Sequence, residues 1–131
     1  MHRLRIKIYY EDTDAGGVVY YANYLRYLER ARTEFLSGKS IDVAEYHNKG
    51  CMFTVVHVDI NYKKPAKLGE TIDVTTEIVD MTNATVTFGH QIFRDNILLV
   101  EANVKLACID KDGRPRRLPD NLKEINPNLQ K

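Results

Sequence analysis

The sequence contains no tryptophan, only two cysteines and four prolines, and no long run of apolar residues. A membrane-spanning helix needs about 20 consecutive, mostly apolar residues, so the sequence predicts no membrane span. The first residues, MHRLRIKI, alternate charged with apolar side chains and lack the continuous apolar centre of a signal peptide. We therefore expect a cytoplasmic protein in which Cys51 and Cys108 are free, buried thiols rather than a disulfide.

The sequence also lacks an excess of charge of either sign. Nineteen Lys and Arg residues face 18 Asp and Glu residues, which gives a formal net charge of +1. Domains that bind nucleic acid normally carry a strong basic excess, so we predict no nucleic-acid partner. The four histidines are scattered without metal-ligand or Cys–His spacing, so we expect no metal and no cofactor. A serine hydrolase is not favoured either, because no Gly-x-Ser-x-Gly motif is present.

What the sequence does contain is two clear apolar periods. In residues 4–10, Leu4, Ile6, Ile8 and Tyr10 alternate with Arg5, Lys7 and Tyr9. This is the period of a half-buried strand, and it would place Tyr10 on the apolar face. From Tyr24 to Phe35 the apolar positions instead share one face of a helix. Ser37-Gly38 ends this helix, with Gly38 expected in the left-handed conformation.

The rest of the chain is dominated by strands. A short helical turn is predicted at residues 40–46. Four alternating runs, joined by short turns, follow at residues 54–62, 72–78, 84–92 and 98–108. Short turns make neighbouring strands antiparallel, and a helix with one apolar face must bury it on the sheet. We therefore predict a single domain over residues 1–131 of the α+β class, with about five antiparallel strands around one long helix.

An acidic turn that contains glycine connects the first strand to this helix. It carries Glu11, Asp12 and Asp14, followed by Gly16 and Gly17. Carboxylates beside the free N–H groups of a helix N-terminus form a candidate chemical site. Spacing alone favours a simpler role for Asp14, in which it stabilises the helix dipole by about 0.3–1 kcal/mol. Spacing likewise favours Asp12 as a turn residue and Asn23 as the helix cap.

The same region resembles the hotdog-fold acyl-CoA thioesterases. The resemblance is closest to the Tol–Pal-associated YbgC-type enzymes and more distant to 4-hydroxybenzoyl-CoA thioesterase. The residues that carry it are Tyr10-Glu11-Asp12-Thr13-Asp14, Gly17-Val18-Val19-Tyr20, Asn23-Tyr24, Glu29-Arg30-Ala31-Arg32, and a weaker second patch, Tyr62-Lys63-Lys64-Pro65-Ala66 with Leu68-Gly69-Glu70. The resemblance covers nearly the whole chain and implies a hotdog fold that forms homodimers through sheet edges, often paired further into homotetramers.

The resemblance also implies catalytic roles within the acidic turn. Asp14 matches the family's essential carboxylate, which acts as the nucleophile or as the base that activates water; both roles remain open. The backbone N–H of Tyr21 matches the donor to the oxyanion. Many YbgC-type members carry histidine where this chain has Tyr21, and a tyrosine side chain is a poor base near neutral pH. The backbone role does not depend on that side chain.

Substrate-binding residues are expected in two sets. Tyr10, Gly17, Val18 and Tyr24 are the candidates to line the site near the turn. Lys63, Lys64, Arg116 and Arg117 are the candidates to meet the phosphates of coenzyme A, although each taken alone is more typical of a solvated surface.

Three functions remain open at this point. The first is hydrolysis of an acyl-CoA thioester to a free acid and coenzyme A. The second is a hotdog acyl-thioester dehydratase, which typically needs a histidine beside the carboxylate. The third is a non-catalytic adaptor that binds acyl carrier protein or phospholipid-synthesis enzymes, as the family's associations imply.

Overall fold

The computed structural model describes residues 2–125. Met1 and residues 126–131, which the single-domain prediction also covers, lie outside the described residues. The regular elements are β1 (His2–Lys7), α1 (Asn23–Ser37), α2 (Val43–Asn48), β2 (Met52–Tyr62), β3 (Thr71–Met81), β4 (Thr85–Arg94), β5 (Ile97–Ile109) and α3 (Asp120–Lys123). A 3-10 turn at Tyr10–Asp12 separates β1 from the segment that leads into α1.

The five strands form one sheet in the order β1-β3-β4-β5-β2. Every pair of neighbouring strands is antiparallel. The hairpin-connected strands β3, β4 and β5 occupy the centre, while β1 and β2, which flank the long helix in sequence, lie at the two edges. This arrangement confirms the predicted α+β class and the antiparallel sheet of five strands around one long helix.

Helix α1 is held by a stripe of buried side chains that faces the sheet. The stripe includes Tyr24, Leu28, Ala31 and Phe35, as the helical period predicted, together with Tyr27. Leu28 and Ala31 are completely buried. Full burial of a side chain such as Leu or Phe contributes about 1.5–3 kcal/mol, so this stripe fixes how the helix lies on the sheet.

Two details of the sequence prediction are wrong. Gly38 has a φ of −63° and remains helical, while Ser40, with a φ of +63°, takes the left-handed conformation two residues later. The extra turn brings Ile41 into the core, where its N–H donates to the Leu36 carbonyl over 2.9 Å. Tyr10 is not a core residue, because β1 ends at Lys7 and the following turn leaves Tyr10 82% exposed.

The edge strand β2 exposes more apolar surface than the alternation predicted. A bulge between Val55 and His57 breaks its register with β5. Val55 and Val56 are about half exposed, whereas Val58 and Ile60 are only partly exposed. An edge strand also leaves one row of backbone N–H and C=O groups without a partner strand, which suits pairing with another chain.

The two cysteines are free and buried, as predicted. Cys51 lies between α2 and β2, and Cys108 lies near the end of β5. Their Sγ atoms are 2.9 Å apart. Burial and contact with Cys51 raise the pKa of the Cys108 thiol, which therefore remains protonated. Both buried side chains pack as small apolar groups.

One polar network crosses the interface between α1 and the sheet. The Nδ1 atom of His90 lies 3.2 Å from the Thr75 carbonyl oxygen, which can only accept, so this nitrogen carries the proton. The Nε2 atom is then an acceptor and lies 3.4 Å from Nη1 of Arg32. Burial, together with the nearby Arg32 charge, lowers the pKa of His90 to about 3. His90 is therefore a neutral structural residue.

This network predicts acid sensitivity of the fold. The pKa of His90 is lower in the folded chain than the ordinary value of about 6.5, so the unfolded chain binds more protons between those two values. We expect the free energy of unfolding to fall by about 3 kcal/mol between pH 7 and pH 4 through this residue alone. Urea unfolding of wild type and His90→Gln at several pH values tests this, because glutamine can accept from Arg32 without titrating. A wild-type pH slope as flat as that of His90→Gln would contradict the assignment.

Candidate active site

The acidic turn is held mainly by its own backbone. Thr13 and Val19 form an isolated antiparallel bridge. Inside it, the Asp14 N–H donates to the Val18 carbonyl over 2.9 Å, and the Gly17 N–H donates to the Asp14 carbonyl over 3.1 Å. Gly17 has a φ of +79°, a conformation that side-chain-bearing residues rarely adopt. These hydrogen bonds fix the backbone of Asp14 at the start of the turn formed by residues 14–17.

A second segment, residues 66–68, joins the turn to the sheet. The Val19 N–H donates to the Ala66 carbonyl over 2.9 Å, and the Leu68 N–H donates to the Gly17 carbonyl over 3.0 Å. The buried Ala66 N–H donates to the Tyr24 hydroxyl over 3.0 Å. The two sequence patches that carry the family resemblance are thus in direct contact, and the backbone of Gly17 and the side chain of Tyr24 hold them together.

Asp14 itself is exposed and only partly engaged. Its Oδ1 accepts the Gly16 N–H over 2.8 Å. Its Oδ2 has no hydrogen-bond partner among residues 2–125. A β-carbon at position 16 would lie only 3.3 Å from Oδ1, so glycine there leaves room for the carboxylate. One oxygen orients the carboxylate, and the other remains free for chemistry.

Asp12 has the structural role that its spacing predicted. Its Oδ2 accepts the Tyr9 N–H over 2.8 Å, which closes the 3-10 turn. Its backbone carbonyl accepts from the Tyr20 N–H and from the Asn23 side-chain amide over 3.0 and 2.9 Å. Asn23 is therefore not the helix cap; Ala22 occupies that position without a side-chain hydrogen bond. The cap prediction was wrong because the amide of Asn23 finds the Asp12 carbonyl instead.

The start of α1 leaves backbone donors free beside the turn. The Tyr20 carbonyl accepts the Asn23 N–H over 2.8 Å, which orients the peptide that carries the Tyr21 N–H. In the part of the chain that the structure describes, neither Tyr21 nor Ala22 donates its N–H to a backbone or side-chain acceptor. The side chain of Tyr21 is 62% exposed. The helix N-terminus thus offers two N–H groups that can bind a negatively charged oxygen.

An open cleft of about 220 Å³ lies beside the helix start. The residues that line it are Val19, Tyr21, Tyr24, Tyr62, Lys63, Lys64 and Pro65. Tyr62 donates its hydroxyl to the Tyr21 carbonyl over 3.3 Å, and its ring packs near those of Tyr21 and Tyr24. Burial raises the pKa of the Tyr24 hydroxyl, which stays protonated at neutral pH. The cleft combines aromatic walls with two lysines at its mouth.

The predicted basic residues fall into two separate groups. The backbone N–H groups of Lys63 and Lys64 both donate to the Leu99 carbonyl, which fixes these two residues at the cleft. Arg116 and Arg117 instead line a different hollow beside α2 and α3. Nη1 of Arg116 lies 3.4 Å from the Lys49 carbonyl oxygen. Within one chain, the four residues do not converge on one ligand.

Sequence reasoning missed part of the cleft. Tyr62 and Pro65 belong to the second resembling patch, but only its lysines were singled out as binding residues. Tyr62 ends a strand with alternating side chains. This alternation was the one sequence feature that indicated which side of the sheet its ring would face. Of the other candidates, Val18 forms an isolated bridge with Lys67 of the supporting segment, and Tyr10 lies exposed in the 3-10 turn that precedes Asp14 in sequence.

Two further structural observations concern binding and location. Within residues 2–125, no three His, Cys, Asp or Glu side chains are grouped so as to hold a metal ion. Among the described helices, none has both the length and the apolar character needed to cross a membrane.

Comparison with known proteins identifies the family of this chain. The family model of the thioesterase-like superfamily matches residues 9–126. The chain is 37% identical over 124 residues to an acyl-CoA thioester hydrolase YbgC of Escherichia coli O6:H1, which covers 93% of this chain and 92% of the relative. It is 40% identical over 108 residues to an acyl-CoA thioesterase YbgC of Haemophilus influenzae, over 80% and 78% of the two chains.

A solved structure supports the same assignment. The crystal structure of a probable thioesterase from Bartonella henselae superposes with a TM-score of 0.85 at 34% identity, over 90% of this chain and 98% of that one. The chain therefore belongs to the thioesterase-like superfamily and has its hotdog fold. Its relatives at 37–40% identity are YbgC proteins.

Proposed function

We propose that this protein is a cytoplasmic acyl-CoA thioesterase that releases a free acid and coenzyme A without a cofactor, and that Asp14 is its catalytic carboxylate. The family membership and the two YbgC relatives support the activity. The observation that carries the site assignment is the Asp14 Oδ2, which has no hydrogen-bond partner within residues 2–125 and lies on a hydrogen-bonded turn that leads into helix N–H groups also without an acceptor in that range. Thioester hydrolysis needs both a nucleophilic or basic group and a donor for the developing oxyanion.

Two reaction courses suit the Asp14 carboxylate. In the first, Oδ2 attacks the thioester carbonyl carbon, the coenzyme A thiolate leaves, and water hydrolyses the mixed anhydride. In the second, Oδ2 takes a proton from a water molecule that attacks the same carbon, the C–S bond breaks, and coenzyme A leaves as a thiolate that takes up a proton. Both place negative charge on the carbonyl oxygen. The Tyr21 N–H is the proposed donor to that oxygen, because its peptide is oriented by the Tyr20–Asn23 hydrogen bond.

The cleft beside Tyr21 is the proposed route for the coenzyme A arm. Lys63 and Lys64 stand at its mouth, where ammonium groups can meet phosphates. An acyl carrier protein presents its thioester on the same kind of pantetheine arm, so we propose it as an alternative acyl donor. A dehydratase is less well supported, because Asp14 makes no hydrogen bond to a histidine in the described chain and His90 is committed to the core.

We further propose that the working unit is a homodimer formed through β2, which can pair again into a tetramer. Exposed Val55 and Val56 and the unpaired edge of β2 support this interface. If two copies of β2 pair antiparallel, the partner's end that bears Met52 approaches Tyr62. That arrangement would bring the partner's α2 region, and with it a second copy of the hollow that holds Arg116 and Arg117, towards the cleft.

Replacement of Asp14 tests the catalytic proposal. Asp14→Asn keeps size and can still accept the Gly16 N–H, but removes charge and nucleophilicity. We expect turnover of the best acyl-CoA substrate to fall by about 10²–10⁴-fold, with little change in thermal stability. Glu11→Gln is the matched control, because Glu11 is an exposed carboxylate of the same turn. A folded Asp14→Asn enzyme that retains more than roughly a tenth of wild-type thiol release would refute the assignment.

The two lysines test the route of coenzyme A. We expect Lys63→Ala combined with Lys64→Ala to raise KM several-fold at low salt and to leave kcat nearly unchanged, because their charges act on binding and are screened by salt. Lys111→Ala combined with Lys123→Ala removes the same charge elsewhere and is the control. Equal KM values for both double variants across a salt series would argue against a phosphate contact at the cleft.

The oligomeric proposal is tested by mass and by kinetics. Light scattering at micromolar concentration should give the mass of a dimer or tetramer. Val56→Pro, placed on the edge strand, should shift the mass towards the monomer and reduce turnover. Arg116→Ala combined with Arg117→Ala should raise KM in the otherwise wild-type oligomer. The same pair of changes should leave KM unchanged in the Val56→Pro background. A wild-type monomer with full activity would exclude a site shared between subunits.

A further inference from the structure

A second cavity lies under the C-terminal half of α1, away from the acidic turn. In the single chain it has a volume of about 140 Å³ and is open on one side, and its lining includes Val55 of the proposed β2 interface. Its walls are mainly apolar side chains of α1, β2, β4 and β5, including Leu36, Phe53, Val86 and Phe88. Arg32 also lines it and lies nine residues after the first helical residue, Asn23. At 1.5 Å of rise per residue, the cavity is about 14 Å from the helix start.

Arg32 is a buried cation without a counter-ion in the described chain. Only 7% of the residue is exposed. Its one hydrogen-bond partner within residues 2–125 is His90, whose facing nitrogen is neutral. No Asp or Glu oxygen of these residues lies within 4.0 Å of the guanidinium. Burial lowers the pKa of Arg32 to about 10, so the group remains charged at neutral pH.

The neighbouring carboxylate of Glu29 does not take this role. Glu29 also lines the cavity, and its charge favours the protonated form of Arg32. Its Oε1, however, lies 3.4 Å from the hydroxyl of Thr33, which lines the same cavity, and Glu29 makes no ion pair with Arg32 within 4.0 Å in the described chain. Buried charges in proteins are normally paired, because an unpaired one carries a large desolvation cost. Because Arg32 has no paired carboxylate in the described chain, we infer that an anion enters the cavity and binds it.

The walls and the charge together define the ligand. A guanidinium matches a carboxylate with two parallel hydrogen bonds, and apolar walls require an apolar body. A cavity of about 150 Å³ accepts one benzene molecule, which is close to the volume here. We propose that this cavity binds an organic carboxylate with an apolar body about the size of one benzene ring, held by Arg32.

Two sources can supply such a carboxylate. One is a free organic acid, the product class of the proposed hydrolysis. The other is the far end of an acyl group that carries a second carboxylate, provided that the chain spans about 14 Å from the helix start. Which of the two sources fills the cavity depends on the proposed function. The binding of a carboxylate to the cavity does not depend on it, because binding requires no turnover.

The binding test uses benzoate and its neutral counterpart benzamide with the full-length protein, measured by calorimetry. We expect benzoate to bind wild type, and benzamide to bind about 10- to 100-fold more weakly, because a hydrogen-bonded charge is lost. Arg32→Met should weaken benzoate by a similar factor and leave benzamide unchanged. Glu29→Gln should tighten benzoate, because it removes a neighbouring negative charge. Val43→Phe, which fills the cavity and keeps Arg32, should abolish binding of both probes.

Controls separate a failed site from a failed fold or a failed function. Thermal melts without ligand show whether each variant is folded, and Val43→Phe provides the test if Arg32→Met does not fold. Asp14→Asn should bind benzoate as wild type does, whether or not it has lost turnover. Equal affinity of folded wild type and Arg32→Met for benzoate would overturn the proposal. So would the absence of benzoate binding to wild type at concentrations well above a millimolar.

Kinetics then identifies the source of the carboxylate. If the far end of the substrate occupies the cavity, Arg32→Met should lower kcat/KM for long acyl-CoAs with a terminal carboxylate and spare those with a terminal methyl group. If a free acid occupies it, Arg32→Met should leave kcat/KM for both substrates unchanged while benzoate binding is lost. Both results support the cavity as a carboxylate site and differ only in what fills it.

Discussion

The burial of the apolar stripe of α1 on the sheet is the interaction on which the rest of this structure depends. It sets the position of the helix, and so determines where its first unpaired N–H groups point. Tyr24 adds a specific constraint, because its buried hydroxyl accepts from Ala66 and ties the first turn of the helix to the segment that supports the acidic turn. Core packing therefore positions the helix start, and one buried hydrogen bond connects that start to the segment beneath the acidic turn.

The same packing places two unlike environments along one helix. At its N-terminus, exposed backbone donors and an exposed carboxylate face an open aromatic cleft. Near its C-terminal end, an apolar cavity encloses Arg32, whose charge is separated from solvent. Electrostatic interactions are screened in the first environment and strengthened in the second, because the local dielectric differs. A single helix thus contributes to both the candidate active site at the surface and the cavity that Arg32 lines.

The sequence predicted the elements better than it predicted their ends. The 3.6-residue period identified α1, and alternation identified all five strands, because both depend on which side chains are buried. Gly38, Tyr10 and Asn23 were misplaced because their conformations depend on contacts distant in sequence: Ile41 entering the core, β1 ending early, and the Asp12 carbonyl. The separation of Lys63 from Arg116 was equally inaccessible, since it follows from strand order. Arg32 was named only as part of a resembling motif, and its burial was not predicted, because a charged residue on a helix usually faces solvent.

The turn that carries Asp14 is fixed almost entirely by main-chain hydrogen bonds, from Asp14 to Val18, Gly17 to Leu68, and Val19 to Ala66. Main-chain groups are the same for nearly every amino acid, so the geometry of the carboxylate is insulated from most substitutions around it. Apart from Gly16, where a β-carbon would lie 3.3 Å from Oδ1, and Gly17, with its positive φ, we expect residues near the carboxylate to tolerate substitution without displacing it. If Asp14 is the catalytic carboxylate, its position depends little on the side chains that contact a substrate, so the substrate could change while the carboxylate stays in place.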